Sequence, residues 1–381
     1  MSDPLYLDHN ATTPLLPEVV DAMVPYLREH FGNPSSAHVY GRRAREAVER
    51  ARAQVAALLG AAAPEIVFVA HGTEANNLAI RGTMAALPDK RHVVSCVIEH
   101  PATTEPCRAL EASGGRVTWL PVDGTGRIRL PEAVAALRED TALVTLMHAN
   151  NETGVLQPIA ELAREARARG IRVHTDAAQS VGKLPVSVEG LGAELLTVVG
   201  HKFGAPKGVG ALYVRRGTSL GPVLLGAGQE RGLRPGTENV ASVVGLGVAC
   251  EVARHTLEAE AVRVRALRDE LWERLRALVP EVALNGHPVE RLPNTLNVRF
   301  AGVSGSALLA ATPEVAASTG SACHAGEESA SSVLTAMGVE PTRALGSVRL
   351  SLGRTTTHAD VKAAAEALAA AWRRLTAERR G

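Results

Sequence analysis

Residues 171–203, IRVHTDAAQSVGKLPVSVEGLGAELLTVVGHKF, hold two short apolar runs that each break off into polar chemistry, the first at Asp176 and the second at His201 and Lys202. The runs at 171–173 and 195–199 are rich in branched residues and bounded by Gly or polar residues, so they read as buried strands. If both run the same way in one parallel sheet, Asp176 and Lys202 emerge together at its carboxyl edge, where open α/β sheets place their ligands. A lysine amine with a carboxylate nearby suits pyridoxal phosphate: the amine forms a Schiff base, and the carboxylate keeps the pyridine nitrogen protonated. A plain surface ion pair explains the same two residues.

The pattern repeats through the first two hundred residues. A run at 65–70, EIVFVA, is followed by helical periodicity in HGTEANNLAI, with Gly72 and Thr73 at the join. Such a join offers free backbone N–H groups and a hydroxyl at the positive end of a helix, which suits a phosphate; Thr is equally a common helix cap. HVVSCVIEH ends at His100 before Pro101, and ALVTLMHANNETG ends in Asn150, Asn151 and Glu152. Strands alternating with helices predict a mostly parallel sheet covered on both faces. No dinucleotide fingerprint or P-loop occurs.

The chain has 381 residues, 46% of them hydrophobic, enough for a large core and two domains. Its 41 basic and 40 acidic residues show no long run of one sign, which argues against nucleic acid and membrane surfaces as partners. The start, MSDPLYLDHN, lacks the pattern of a signal peptide, and no apolar segment reads as long enough to span a bilayer, so a cytoplasmic location is expected. Cys96, Cys107, Cys250 and Cys323 stand far apart, without disulfide or metal spacing.

Near the N-terminus, residues 5–7 read as a strand, Pro17 opens an amphipathic helix, and Ser35 or Ser36 is positioned to cap the next one. A loop holding Arg231, Arg234 and Thr237 precedes a long helix from 239 to 278 that suits a bridge between domains. Residues 312–329, TPEVAASTGSACHAGEES, are crowded with small residues around Cys323 and His324, which makes either a reachable thiol or an incidental cysteine. Arg354, after an apolar strand, is placed to fork onto a substrate carboxylate or to be an ordinary surface residue.

Taken in order, YLDHNATTP, FGNPSS, GTEANNLAI, Glu99-His100, NNETG, HTDAAQSVGK, Gly200-His201-Lys202, RPGTEN, GSAC and SLGRTTT run from end to end of the chain. In these motifs the chain resembles the cysteine desulfurase and selenocysteine lyase family, in the class V aminotransferase branch of the fold-type I pyridoxal-phosphate enzymes. The resemblance implies an α/β fold with a large cofactor domain at 14–255, and a smaller α+β domain from 1–13 and 256–381 carrying the cysteine loop at about 312–329.

It further implies Lys202 as the Schiff-base lysine, Asp176 opposite the pyridine nitrogen, His100 stacked on the ring and Gln179 near the ring oxygen. Gly72, Thr73 and His201 would surround the phosphate, and Asn151 would lie between cofactor and substrate. Thr237 would reach the phosphate of a neighbouring subunit, implying a homodimer. Arg354 would hold the substrate carboxylate, and Cys323 would accept sulfur. The implied activity converts L-cysteine to L-alanine and leaves a Cys323 persulfide for an acceptor such as an iron–sulfur scaffold protein. Lys202 and His100 would carry protons. Selenocysteine lyase is the alternative, and a transaminase on the same fold the more distant one.

Three positions depart from the family pattern. Val199 stands where Ser is frequent, Gly204-Ala205 where Tyr-Gly is usual, and His71 where a small residue is usual. Val199, the Cys323-His324 pair and the stretch GQERGLRPGTEN lean toward the selenocysteine lyase side.

Overall fold

The computed structural model describes residues 3–319 and 329–378, so Cys323 and His324 lie outside the described residues. The N-terminal strand β1 (Leu5–Tyr6) leads into helices α1 (Pro17–Arg28) and α2 (Val39–Leu59). The central sheet follows: β2 (Ile66–Val69), β3 (His92–Cys96), β4 (Arg116–Leu120), β5 (Thr141–Met147), β6 (Arg172–Asp176), β7 (Leu195–Val199) and β8 (Gly210–Val214). Their order across the sheet is β2-β8-β7-β6-β5-β3-β4. Only β8 runs against its neighbours, so β2 to β7 all point one way and their carboxyl ends share one edge.

Burial on both faces explains the branched, continuously apolar strands. Ile66 and Phe68 of β2 join a core with Leu196 and Val198 of β7, while Val67 and Val69 join the opposite core with Leu195. Alternate residues of one strand thus serve two layers. Helix α3 (Gly72–Ala86) supplies Ala75, Leu78 and Ala79 to the second layer, and α4 (Pro101–Ala112) adds Cys107.

Helix α5 (Val240–Leu278) links two cores. Val243, Leu246, Ala249 and Cys250 pack beneath the central sheet, whereas Val264, Leu267, Leu271 and Leu275 pack on the C-terminal one. The apolar part of α5 has the length and composition of a membrane span, which corrects the expectation that no segment does; more than half of that window is buried inside the fold. The C-terminal part contains β9 (Ala283–Leu284), β10 (Thr295–Arg299), β11 (Val315–Ala316) and β12 (Ser347–Ser351). An antiparallel sheet β12-β10-β9 forms there, and β11 pairs in parallel with β1.

Helix α7 (His358–Glu378) covers this second core with Val361, Leu368 and Ala369. Helix α6 (Ser332–Ala336) behaves differently: Val333 and Leu334 return to the core of the central sheet beside Val144 and Leu146.

Two local expectations change. Neither Ser35 nor Ser36 caps α2; His38 does, its Nδ1 accepting from the Gly41 N–H at 3.3 Å. The strand expected at 171–173 is β6, which extends to Asp176, so the carboxylate sits on the last residue of the strand.

Candidate active site

The edge formed by the carboxyl ends of β2, β7, β6, β5 and β3 carries the residues singled out from the sequence. Lys202 ends the short turn Gly200–Lys202 after β7, Asp176 ends β6, Asn151 follows β5, and His100 caps α4 after β3.

Asp176 is 8% exposed, and both its oxygens are held. Its Oδ1 accepts from the Ala178 N–H at 2.9 Å, and its Oδ2 from Asn76 Nδ2 at 2.7 Å. The same Nδ2 donates to Thr103 Oγ1, and the Thr197 hydroxyl donates to Asn76 Oδ1 at 2.7 Å. Behind Thr197 stands His174, whose Nε2 lies 3.0 Å from Thr197 Oγ1 and whose Nδ1 lies 2.8 Å from Thr145 Oγ1. Because the Thr197 proton is committed to Asn76, His174 must donate from Nε2 and accept at Nδ1. Burial holds this histidine neutral, with a pKa near 4, and every link of the chain then donates toward Asp176.

Lys202 Nζ donates to the carbonyl oxygens of Asn10 at 2.8 Å and Ala11 at 2.9 Å. Burial, and next the Arg349 guanidinium, bring its pKa down from 10.5 to about 8, against the pull of Asp176 and Asp8. About a tenth of the amine is then neutral near pH 7, far more than an ordinary lysine offers, and the neutral form is the nucleophile. His100 accepts the Ala102 N–H at Nδ1, 3.1 Å away, so its proton sits on Nε2; burial lowers its pKa, Asp176 opposes that and Lys202 adds to it. His201 is held neutral near pKa 4 by burial and by Lys202, Lys207 and Lys183, and its Nδ1 lies 3.1 Å from Thr12 Oγ1.

Gly72 and Thr73 open α3. Its cap is His71, whose Nδ1 accepts from the Glu74 N–H at 3.1 Å, so Thr73 is not spent on capping. The first helical N–H groups lack intrahelical partners, which leaves those of Gly72 and Thr73 for an anion. A Cβ on Gly72 would come within 2.7 Å of Val199 Cγ2, so any larger residue here would force the turn or the Val199 side chain to shift. Val199 therefore fills space at the phosphate turn without offering a hydroxyl. Gly204 has φ +94° and a Cβ there would strike Leu16, while Ala205 is buried against Gly200; the loop beside Lys202 is packed by small residues.

Gln179 is buried, with Nε2 donating to the Asn10 carbonyl at 3.0 Å. Asn151 gives its carbonyl to Asn10 Nδ2 and to Arg349, and its side-chain amide has no partner among the described residues. Thr237 is exposed in the loop before α5, tied to the α3 turn through the Arg234–Glu74 pair at 3.0 Å. Arg354 is exposed on the rim of a cavity of about 400 Å³ that Lys202 also lines, with its guanidinium on Thr256 Oγ1 at 3.3 Å.

The guanidinium inside the cluster is another one. Arg349, buried in β12, reaches Asp8 Oδ1 at 2.6 Å and the Asn151 carbonyl at 3.0 Å, and its Nε has no partner among the described residues. Asn10, Asn76, Lys183 and Arg349 were not singled out from the sequence. Asn76 had a signal, since it lies four residues past Gly72 and thus on the same face of α3.

The donor set fits pyridoxal phosphate: an amine of lowered pKa, a fixed carboxylate, an imidazole over the same edge, and a glycine-lined helix N-terminus. Among the described residues no cluster with metal-binding composition occurs.

Comparison with known proteins agrees. The aminotransferase class-V family model matches residues 5–364. A cysteine desulfurase of Trichormus azollae is 48% identical over 94% of this chain and 90% of its own length. The human cysteine desulfurase is 46% identical over 94% of this chain and 79% of its own. Among solved structures, a NifS-like protein superposes with a TM-score of 0.91 at 35% identity, covering 98% of this chain and 99% of that one. A NifS-like protein from Rickettsia africae gives 0.88 at 31%, over 97% and 99%. The chain belongs to the class-V aminotransferase family, in the branch that holds the cysteine desulfurases.

Proposed function

We propose that this protein is a pyridoxal-phosphate-dependent cysteine desulfurase. The observation that carries the reading is the Lys202 amine, brought to a pKa of about 8 beside an Asp176 whose two oxygens are both fixed. When bound, the cofactor supplies an electron sink that weakens bonds at the substrate α and β carbons.

The protein's residues do the rest. Lys202 would be the covalent anchor, and its amine would take and return the proton at the substrate α carbon. Asp176, aligned by Asn76, holds the pyridine nitrogen protonated. His100 presents an Nε2–H to the same cleft and is the second proton carrier. Gln179 has one Nε2 hydrogen beyond the bond to Asn10, and we assign it to the ring oxygen. Gly72, Thr73 and His201 receive the phosphate. The side-chain amide of Asn151 faces substrate and cofactor. For the substrate carboxylate we favour Arg349 over Arg354, because Arg349 acts on Lys202 by charge and has an Nε–H with no partner among the described residues.

In the balanced reaction, L-cysteine and the Cys323 thiol give L-alanine and a Cys323 persulfide. The substrate C–S bond breaks, an S–S bond forms, and the thiol hydrogens are conserved between alanine and persulfide. An acceptor protein, such as an iron–sulfur scaffold, then takes the sulfur. We also propose a cytoplasmic homodimer in which the exposed Thr237 reaches the neighbouring subunit's phosphate. The test is alanine release from cysteine by the yellow protein, abolished in Lys202→Ala; release at wild-type rate by that variant would overturn the reading.

A further inference from the structure

Lys183 is a second amine at this edge, one that the mechanism above does not use. It follows the turn after β6, donates to Gln179 Oε1 at 2.8 Å and to Asn10 Oδ1 at 3.0 Å, and lines the same cavity as Lys202. The two acceptors are amides, whose oxygen and nitrogen ends can exchange places by rotation. Burial, Lys202 and Arg349 pull the Lys183 pKa well below 10.5, yet in either charge state its N–H bonds go to these two oxygens, so each amide turns its oxygen toward Lys183.

The consequence differs for the two. Asn10, its oxygen also receiving Asn294 Nδ2 at 3.1 Å, directs its own Nδ2 to Thr295 Oγ1 at 2.9 Å, joining the N-terminal segment to β10. Gln179 must present its nitrogen away from Lys183, where Nε2 meets the Asn10 carbonyl at 3.0 Å. That carbonyl is also the acceptor for Lys202 Nζ at 2.8 Å.

We propose that Lys183 is a positioning residue that fixes which end of Gln179 faces the cofactor, so that the ring oxygen meets an N–H donor and not a carbonyl. The proposal rests on the cofactor reading above and deepens it. A donor on the ring oxygen stabilises its ionised form and weakens its hold on the proton shared with the Lys202 nitrogen. Losing that donor therefore raises the pH at which this nitrogen loses its proton. Lys183 also acts on Lys202 by charge, as do Arg349, Asp176, Asp8, His100 and His201, and none of these last five hydrogen-bonds Gln179 among the described residues.

The experiment is a pH titration of the visible absorption of the loaded protein. Lys183→Met should raise the midpoint by about one unit, a tenfold change in proton affinity. Lys183→Arg, which keeps a donor-only head, should restore it. Gln179→Leu should give the same rise, and the double variant no more than either single one, because both remove one interaction. If Lys183→Met does not fold, Lys183→Gln, whose head no longer dictates the orientation, should shift the midpoint in the same direction.

A parallel measurement on cofactor-free protein, the pH dependence of Lys202 acylation followed by peptide mass mapping, separates orientation from charge. The proposal expects the shift mainly in the loaded protein. An unmoved midpoint, additive shifts, or an equal shift in the free protein would each overturn it. Wild-type protein that takes up no cofactor would overturn the functional reading, and this one with it.

Discussion

Asn76 donates from Nδ2 to Asp176 Oδ2 at 2.7 Å, and the Thr197 hydroxyl fixes the other end of the same amide at 2.7 Å. The amide has no freedom to flip, so the carboxylate at the end of β6 is aimed by a residue of α3. Asn76→Leu leaves Thr197 and Asp176 each short of a buried partner, and should lower stability by about 1–3 kcal/mol. It should also weaken pyridoxal phosphate binding about tenfold or more, the equivalent of about 1.4 kcal/mol. Urea unfolding and absorbance titration measure the two effects; unchanged affinity would show that Asp176 needs no such guide.

The second prediction concerns the phosphate turn. A Cβ on Gly72 meets Val199 Cγ2 at 2.7 Å, closer than side chains tolerate. Gly72→Ala should therefore displace the start of α3 and weaken cofactor binding, and Gly72→Ala with Val199→Ala should recover much of the loss by removing the opposing methyls. Equal losses in the single and double variants would place the defect elsewhere.

Cofactor capture gives the third. The neutral amine is the nucleophile, so the rate at which cofactor-free protein takes up pyridoxal phosphate should rise with pH to half its maximum near the Lys202 pKa of about 8. Arg349→Met removes a cation that favours the neutral amine and leaves Asp8 unpaired, and both changes raise the midpoint toward 10.5. A midpoint that stays in place would remove Arg349 from the cluster. Stopped-flow absorbance over the pH range provides the measurement.

Glu152 carries the fourth. Burial pushes its pKa up from 4.5 to about 7, while the Ser331 hydroxyl, 2.5 Å from its Oε2, and Arg349 oppose the rise. Between those values the folded protein keeps a proton that the unfolded chain has lost, so this group's stabilisation is present at low pH and is lost as pH rises through 7. Going from about pH 5 to about pH 8, the native protein should lose up to ~3 kcal/mol more than Glu152→Gln, which has no proton to lose. Parallel urea curves at both pH values would contradict the assignment.

The sequence made the sheet and its working edge legible because β-branched runs that end in polar residues carry their own direction. Asp176 and Lys202 share the expected edge for that reason: Asp176 ends β6, and Lys202 closes the turn that follows the parallel strand β7. Caps were less legible. Ser35 and Ser36 have the usual cap chemistry, but the chain turns into α2 at His38, whose imidazole nitrogen serves instead.

Long-range polar contacts were not legible. Asn10 lies 173 positions from Lys183 and 284 from Asn294, and no local pattern marks an asparagine as their common acceptor. Arg349 and Arg354 lie on one short segment, and strand alternation decides between them only once the register of β12 is known. In that register Arg349 pairs with Asn297, and its guanidinium reaches back to Asp8.

The most direct test of the central claim is mass spectrometry of the intact loaded protein after brief incubation with L-cysteine and no reductant, followed by peptide mapping. The account predicts one added sulfur on the peptide containing Cys323, one alanine released per sulfur gained, and neither in Lys202→Ala. Alanine released by Cys323→Ala at the wild-type rate, with no sulfur gained on that peptide in the native protein, would contradict it.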